Sequence, residues 1–207
     1  MENVLSVYER AYNVNYPVIN LDESPKQLIG QTRTEFIDSK GVLHEDYQYE
    51  RKGVVDIYMI AEALAGRREV LIKDNHKATT YAEVIAYIAE EMYPDAIKIT
   101  IVEDNLAAHK LSALYEIYEP QRARTIIDRL EIVRTPKHGS WLNIAENELS
   151  ILIKHGLKNR IDAKEKLITQ VQAWYKHRNE KEAKVNWQFN SKKARIKLKH
   201  LYPSFHN

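Results

Sequence analysis

The sequence predicts an α/β protein built on a mixed sheet flanked by helices, with basic helices closing the chain. Three observations predict it. Strand-like apolar stretches come first, helices and strands then alternate, and helices alone finish the chain, the order expected of helices packed on a sheet. The run IKITIV at 97–102 is β-branched and apolar enough for a central strand. Gly and Pro are sparse, at six each, and no repeat or low-complexity stretch marks a linker. Residues 1–207 therefore read as one domain, with 163–207 as its helical, basic C-terminal part.

Taken in order, Val18-Ile19-Asn20-Leu21 is a short strand closed by a polar turn at Asp22-Glu23-Ser24-Pro25. Residues 27–36 make a second strand, and 53–65 a third that its alanines weaken and Gly66 ends. Thr79-Thr80 offers an N-cap to a helix over 80–93, where Val84, Ile88 and Met92 recur at helical spacing before Pro94. The strand at 97–102 runs into Glu103-Asp104-Asn105. Helices at 111–118 and 121–130 break at Pro120, and 131–135 is a strand stopped by Pro136. After the loop Lys137-His138-Gly139 come helices at 140–161, with an interruption at Gly156, then at 163–178 and 191–201.

Cysteine is absent, which excludes disulfides and thiolate zinc sites. No apolar run approaches the roughly 20 residues needed to cross a bilayer. The N-terminus lacks the basic start and apolar core of a signal peptide, so a cytoplasmic protein without a membrane partner is expected. Net charge is only +2, but residues 151–207 hold 14 Lys and Arg against 4 Asp and Glu, while 1–150 hold 17 against 25. A basic tail on an acidic body suits an anionic partner held near carboxylates; a solvated basic face on surface helices explains the tail equally well.

Three acids stand out. Asp22 ends the first strand, and Asp104 ends the most buried-looking one, where ligands collect in α/β sheets. On a helix beginning at Ser140, Glu146 shares a face with Leu142, Leu149 and Ile153, whereas Glu148 points roughly the other way. A carboxylate against a core must be protonated, paired or bound to a metal. Three of them without sulfur favour a hard ion such as magnesium or manganese, and two such ions about 4 Å apart are a device for displacement at phosphorus. Plainer readings stand beside this one: Asp22 starts a turn, Asp104 caps the next segment, and Asn143 with Glu146 matches a capping box. The spacings of 82 and 42 residues say only that such a site is assembled by tertiary folding.

VINLDESPKQL (18–28), IVEDNLAAH (101–109), TPKHGSWLNIAENELS (135–150) and VNWQFNSKKARIKLKHLY (185–202) together resemble the catalytic domain of DDE transposases of the mariner superfamily, in its bacterial insertion-sequence branch. The resemblance implies an RNase H-like fold and makes Asp22, Asp104 and Glu146 the catalytic, metal-binding acids, served by two Mg2+ or Mn2+ ions. It implies that water cuts the element's ends and that the freed 3′-hydroxyl joins target DNA, usually at TA, both by in-line displacement at one site. It also implies DNA as partner, a homodimer and a nucleoid-associated setting. The stretch 111–130 lengthens the interval between the second and third acids relative to many members, and its role is open.

Around these acids, Lys137 and His138 suit phosphate contact or mere loop solubility. Trp141 can stack on an unpaired base or plug the core, the latter being favoured. Asn105 and His109 follow Asp104 closely enough to support metal or DNA, although Asn105 can instead cap a turn. Lys192, Lys193, Arg195, Lys197 and Lys199 are expected to track DNA backbone. Asp56, Trp174 and Trp187 read as structural. Met1 lies about 20 residues before Asp22, which leaves no room for the helix-turn-helix modules of such proteins; one product of a split or frameshifted gene, working with a separate DNA-binding polypeptide, a decayed copy and an excised domain are equally open readings. Two rivals remain: an orphan DNA-binding or dimerisation module, and a simple RNase H-like nuclease without strand transfer.

Overall fold

A computed structural model describes residues 1–32, 36–37, 39–44 and 48–202. The chain opens on helix α1 (Glu2–Tyr8) and enters β1 (Val18–Gln31). A small pair, β2 (Phe36–Ile37) and β3 (Leu43–His44), precedes β4 (Tyr49–Glu62) and β5 (Arg67–Lys73). Helix α2 (Ala78–Tyr87) continues as a π turn (Ile88–Met92) into β6 (Ile99–Glu103). Short helices α3 (Leu114–Ile117) and α4 (Pro120–Asp128) lead to β7 (Leu130–Arg134), and α5 (Ile144–Ile151), α6 (Lys164–Glu180) and α7 (Ser191–Lys197) complete the chain.

The sheet runs in the order β5-β4-β1-β6-β7. β4 pairs antiparallel with β1 and β5, while β6 runs parallel to β1 and to β7. Alternating side chains divide the core. Ile19, Leu21, Tyr58, Ile60, Ile99 and Ile101 pack against α2 and the α3–α4 segment. Ile57, Met59 and Ala61 face α5 and α6, through Ala145, Leu149, Leu167 and Val171. A third cluster seats α1 and α7 beside Val102 and Leu142. β4 is buried without interruption from Val55 to Glu62 because both of its faces are covered, so its apolar run lacks alternation.

Several expectations need correction. Asp22-Glu23-Ser24-Pro25 is no turn: β1 runs straight through it, and residues 18–31 form one strand rather than two. Among the described residues, β1 has no paired strand on its β6 side beyond Asn20, the edge setting in which a strand tolerates proline. Residues 33–35 of the expected second strand lie outside the described residues. β5 was not predicted because Arg68, at an inward position, interrupts the apolar alternation with a buried charge. α1 was not predicted either; it is seven residues long and is held by packing rather than by pattern. α2 begins at Ala78 with Lys77 as N-cap, not at Thr79-Thr80. The expected helix over 140–161 is a 3-10 turn (Ser140–Leu142), then α5, then a π turn (Leu152–Gly156), because Asn143 caps a new helix: its side chain accepts from Ala145 N at 3.1 Å. The stretch 111–130 covers the α2 face, with Ala113, Leu114, Ala123 and Ile126 fully or almost fully buried there.

Candidate active site at the carboxyl ends of β1 and β6

The geometry starts from register. β1 and β6 pair as Val18 with Thr100, Ile19 with Ile101 and Asn20 with Val102. Each pair is offset by the same 82 residues that separate Asp22 from Asp104, so the two acids are register mates two residues beyond the last ladder pair. The sequence spacing that seemed uninformative is the offset of a parallel pair.

Asp22 points to the α5 side, as does its cross-strand partner Met59. Helix α5 is tied to that same stretch of β1. Asn143 Nδ2 donates to the Leu21 carbonyl at 2.9 Å, and the Asn20 side-chain oxygen accepts from Ile144 N at 3.4 Å and from the Tyr8 hydroxyl. These bonds fix the first turn of α5, and Glu146 with it, beside Asp22. Gly139 makes the approach possible. A Cβ there would lie 2.5 Å from Pro136 Cγ, which is why this loop carries glycine. Asp22, Asp104 and Glu146 consequently line one cleft of about 290 Å³, with Glu23, Ser24, Ser140, Asn143 and Leu149.

The electrostatics are those of crowded acids. Burial pushes the Asp22 carboxyl up to about 7, with Glu23, Asp104 and Glu146 adding like-charge repulsion. Among the described residues, Glu146 Oε2 is buried without a hydrogen-bond partner. Asn143 caps α5 as the plain reading held, but Glu146 does not complete a capping box, and Asn143 N donates to Ser140 O instead. Asp104 differs: the His109 ring beside it, together with Leu106 N–H, holds it below the usual carboxylate range. An unsatisfied carboxylate oxygen and a carboxyl raised by its neighbours are what a cation would relieve, so the residues present fit a divalent ion. Among the described residues, no three His, Asp or Glu side chains are close enough to hold one ion as they stand.

Glu148, read as pointing away from the core, is instead buried between two arginines, 2.8 Å from Arg68 Nη2 and 2.9 Å from Arg178 Nη2. The expectation failed because α5 is covered on more than one side, and because a buried arginine pair is invisible in a hydropathy pattern. Leu142, Glu146, Leu149 and Ile153 do not share one buried face: Leu142 joins the α1–α7 cluster and Ile153 is exposed.

The supporting residues separate. His109 is buried, with Nδ1 3.1 Å from Asp104 Oδ1 and Nε2 3.2 Å from Glu23 Oε2. Burial pulls its pKa down, but Asp104 and Glu23 outweigh this and raise it to about 10. Asn105 donates to the Thr135 carbonyl and so ties the two loops together. Lys137 and His138 are exposed and do not line the cleft; His138 has φ 61. Trp141 is 44% exposed and packs against Phe189 at a centroid distance of 5.9 Å, so it does not plug the core. Trp174 and Trp187 pack against core clusters as expected. Lys192, Lys193, Lys197 and Lys199 are exposed, whereas Arg195 is paired with Glu2 at 2.8 and 2.7 Å. Asp56 lies outside the cleft, buried, 3.1 Å from His76 Nδ1. Glu23 escaped sequence reasoning, although its place beside Asp22 in the Asp-Glu pair was a usable cue.

A sequence profile described as DDE superfamily endonuclease matches residues 17–168, which span β1, β6, α5 and the three acids. The chain belongs to the DDE superfamily of endonucleases. Among solved structures it is similar to the Mos1 mariner paired-end complex with Mn, at 16% identity and a TM-score of 0.57, covering 88% of this chain and 54% of that one. It is equally similar to the Mos1 strand transfer complex, at 16% identity and a TM-score of 0.58, covering 88% and 53%. The shared fold is the RNase H-like one, a mixed five-stranded sheet flanked by helices. The chain spans about half the length of these transposases. No curated protein matches it, and among the described residues no helix is long and apolar enough to cross a membrane.

Proposed function

We propose that this chain is the catalytic domain of a DNA transposase of the mariner type, in which Asp22, Asp104 and Glu146 bind Mg2+ or Mn2+, two ions in all, and cut and rejoin DNA. The observation that carries this reading is the convergence of three acids from β1, the end of β6 and α5 on one cleft, with a Glu146 oxygen left partnerless. Divalent ions bound there would polarise phosphoryl oxygens and acidify water. The chain's own part is positioning and charge. The parallel β1–β6 ladder, which ends two residues before both aspartates, supports their closeness, and the Asn143 and Asn20 bonds support Glu146 beside them. Leu149 and Ile153 supply the apolar part of the cleft's lining, and the buried cluster of Met59, Ala145 and Leu149 backs it.

DNA is the partner this site suits. Exposed Lys137 and His138 stand at the loop entering α5, exposed Trp141 tilts against half-buried Phe189, and the α7 lysines are exposed. The Mos1 structures are paired-end and strand transfer complexes, which supports element ends and target as substrates here and a dimer as the working form.

Nicking of supercoiled plasmid by the purified chain in manganese, magnesium or chelator, beside Asp104→Asn, tests the reading. Metal-dependent nicking that disappears in the variant is expected, followed by joining of a labelled 3′-hydroxyl end to plasmid. Nicking that survives chelator or Asp104→Asn would overturn the site, and nicking without joining would reduce the function to hydrolysis.

A further inference from the structure

We infer that His109 is a positioning residue which, anchored by Glu23, fixes the direction in which Asp104 presents its carboxylate to the cleft. The inference rests on the proposed metal-dependent reading and deepens it.

The need for such a device follows from the sheet. The β1–β6 ladder ends at Asn20 and Val102, so no backbone pairing ties Asp22 to Asp104. Asp104 already lies one residue past β6, where a loop begins. A carboxylate on a loop has free rotamers, and a ligand that must be ordered on each encounter binds weakly.

The structure places a bridge where the ladder stops. His109 Nδ1 lies 3.1 Å from Asp104 Oδ1, a charge contact rather than an aligned hydrogen bond, and the same oxygen accepts Leu106 N–H at 2.9 Å. One oxygen of Asp104 is thereby engaged, which leaves the other for the cleft. The far ring nitrogen, Nε2, lies 3.2 Å from Glu23 Oε2. Glu23 follows Asp22 on β1 at the edge of the cleft, with its Oε2 turned to His109. His109, which does not itself line the cleft, therefore joins the neighbour of one acid to the other acid.

The ring cannot turn freely. Its side chain is 1% exposed and stacks on Tyr81 with centroids 4.6 Å apart. The Tyr81 hydroxyl donates to Glu103 Oε2 at 2.8 Å, and Arg134, 3.5 Å from Glu103 Oε1, donates to the His109 carbonyl at 2.6 Å. Ring and backbone are both held. A core histidine kept only for packing needs one polar partner; this one meets carboxylates from two elements on its two nitrogens, and both elements carry acids of the cleft.

The test uses His109→Leu, which keeps bulk against Tyr81, and Glu23→Gln, which keeps size and an acceptor but removes the anchor's charge. Mn2+ affinity is read by electron paramagnetic resonance titration, and plasmid nicking gives kcat and KM. Groups that orient a metal ligand from behind typically cost about 10–100-fold when removed. His109→Leu is expected to weaken Mn2+ binding and lower kcat by about that factor while KM for DNA stays unchanged. Glu23→Gln is expected to act in the same direction, and the double variant to be no worse than His109→Leu alone, because both break one bridge. Should His109→Leu fail to fold, Glu23→Gln carries the test. A folded His109→Leu, or the Glu23→Gln variant in its place, with Mn2+ affinity and kcat within about twofold of wild type would overturn the inference. Effects of the two variants that add in full would overturn it too. Asp104→Asn separates the two failures: if it abolishes Mn2+ binding while His109→Leu leaves binding intact, only the bridge is wrong, and if it too leaves binding intact, the metal site falls and the bridge with it.

Discussion

Two glutamates two residues apart on α5 are expected to respond oppositely to the same substitution. Glu148 is 2% exposed, and its Oε1 receives both Arg68 and Arg178 at 2.8 and 2.9 Å. Arg68 is 1% exposed, and among the described residues its guanidinium otherwise donates to the carbonyls of Gly66 and Ala183. Glu148→Gln removes the countercharge at constant volume and leaves a buried guanidinium uncompensated, for which about 3–5 kcal/mol is the usual cost. Arg178 is partly exposed and can turn to water, so it adds little. For a chain of this size the loss corresponds to a fall in Tm of about 6–20 °C. Glu146→Gln, by contrast, removes charge from an oxygen that has no partner and from a cleft of like charges, so stability should change by less than about 1 kcal/mol, or rise. Urea unfolding of both variants, followed by circular dichroism, decides it. A Glu148→Gln cost below about 1 kcal/mol, or an equal cost for Glu146→Gln, would refute the reasoning. The pH dependence gives a second check. Burial pushes Glu148 up, but Arg68 and Arg178 outweigh it and hold its pKa below the ordinary 4.5. A depressed folded pKa contributes stability that is complete above the unfolded value and lost as pH falls through the folded one. The gap between wild type and Glu148→Gln should therefore be full at neutral pH and close below about pH 4.5.

Three further outcomes are expected. Saturating Mn2+ should raise Tm, by an amount equivalent to about 2.7 kcal/mol at 100 times Kd, with chelator reversing it and Asp104→Asn abolishing it in differential scanning fluorimetry. Lys192→Gln and Lys197→Gln should each lower the dependence of DNA affinity on salt by about one unit of slope with little change in Tm, measured by fluorescence anisotropy across a salt series; unaltered slopes would show that α7 does not meet DNA. Gly139→Ala should displace the Pro136 ring or the loop, because its Cβ would lie 2.5 Å from Pro136 Cγ and 2.9 Å from Pro136 O, at a cost of about 1–3 kcal/mol by thermal unfolding and with reduced nicking.

Much of the fold was legible because it rests on local rules. The run at 97–102 announced β6 through β-branched residues, and the periodicity of Val84, Ile88 and Met92 announced α2. What stayed hidden depended on partners distant in sequence. Arg68 looked like a surface residue and concealed β5 until Glu148, 80 residues away, supplied its countercharge. Pro25 looked like a turn because no rule of sequence shows that β1 is an edge on its β6 side at that point. The burial of Glu148 depended on α5 being covered on more than one side, by Arg68 and Arg178 from elements distant in sequence.

The three acids were legible as types and positions by themselves, since strand ends and motif residues are written in the chain. Their meeting was not. Whether the 82-residue spacing is a register offset depends on β1 and β6 lying parallel, and whether Glu146 reaches Asp22 depends on Asn143 bonding the Leu21 carbonyl. Sequence alone determined which residues could carry the charge, because ionisation and strand or helix preference are properties of a residue and its near neighbours. Tertiary structure decided which charges face one another, because desolvation and Coulomb repulsion act through space, between groups that the chain brings together only when its core closes.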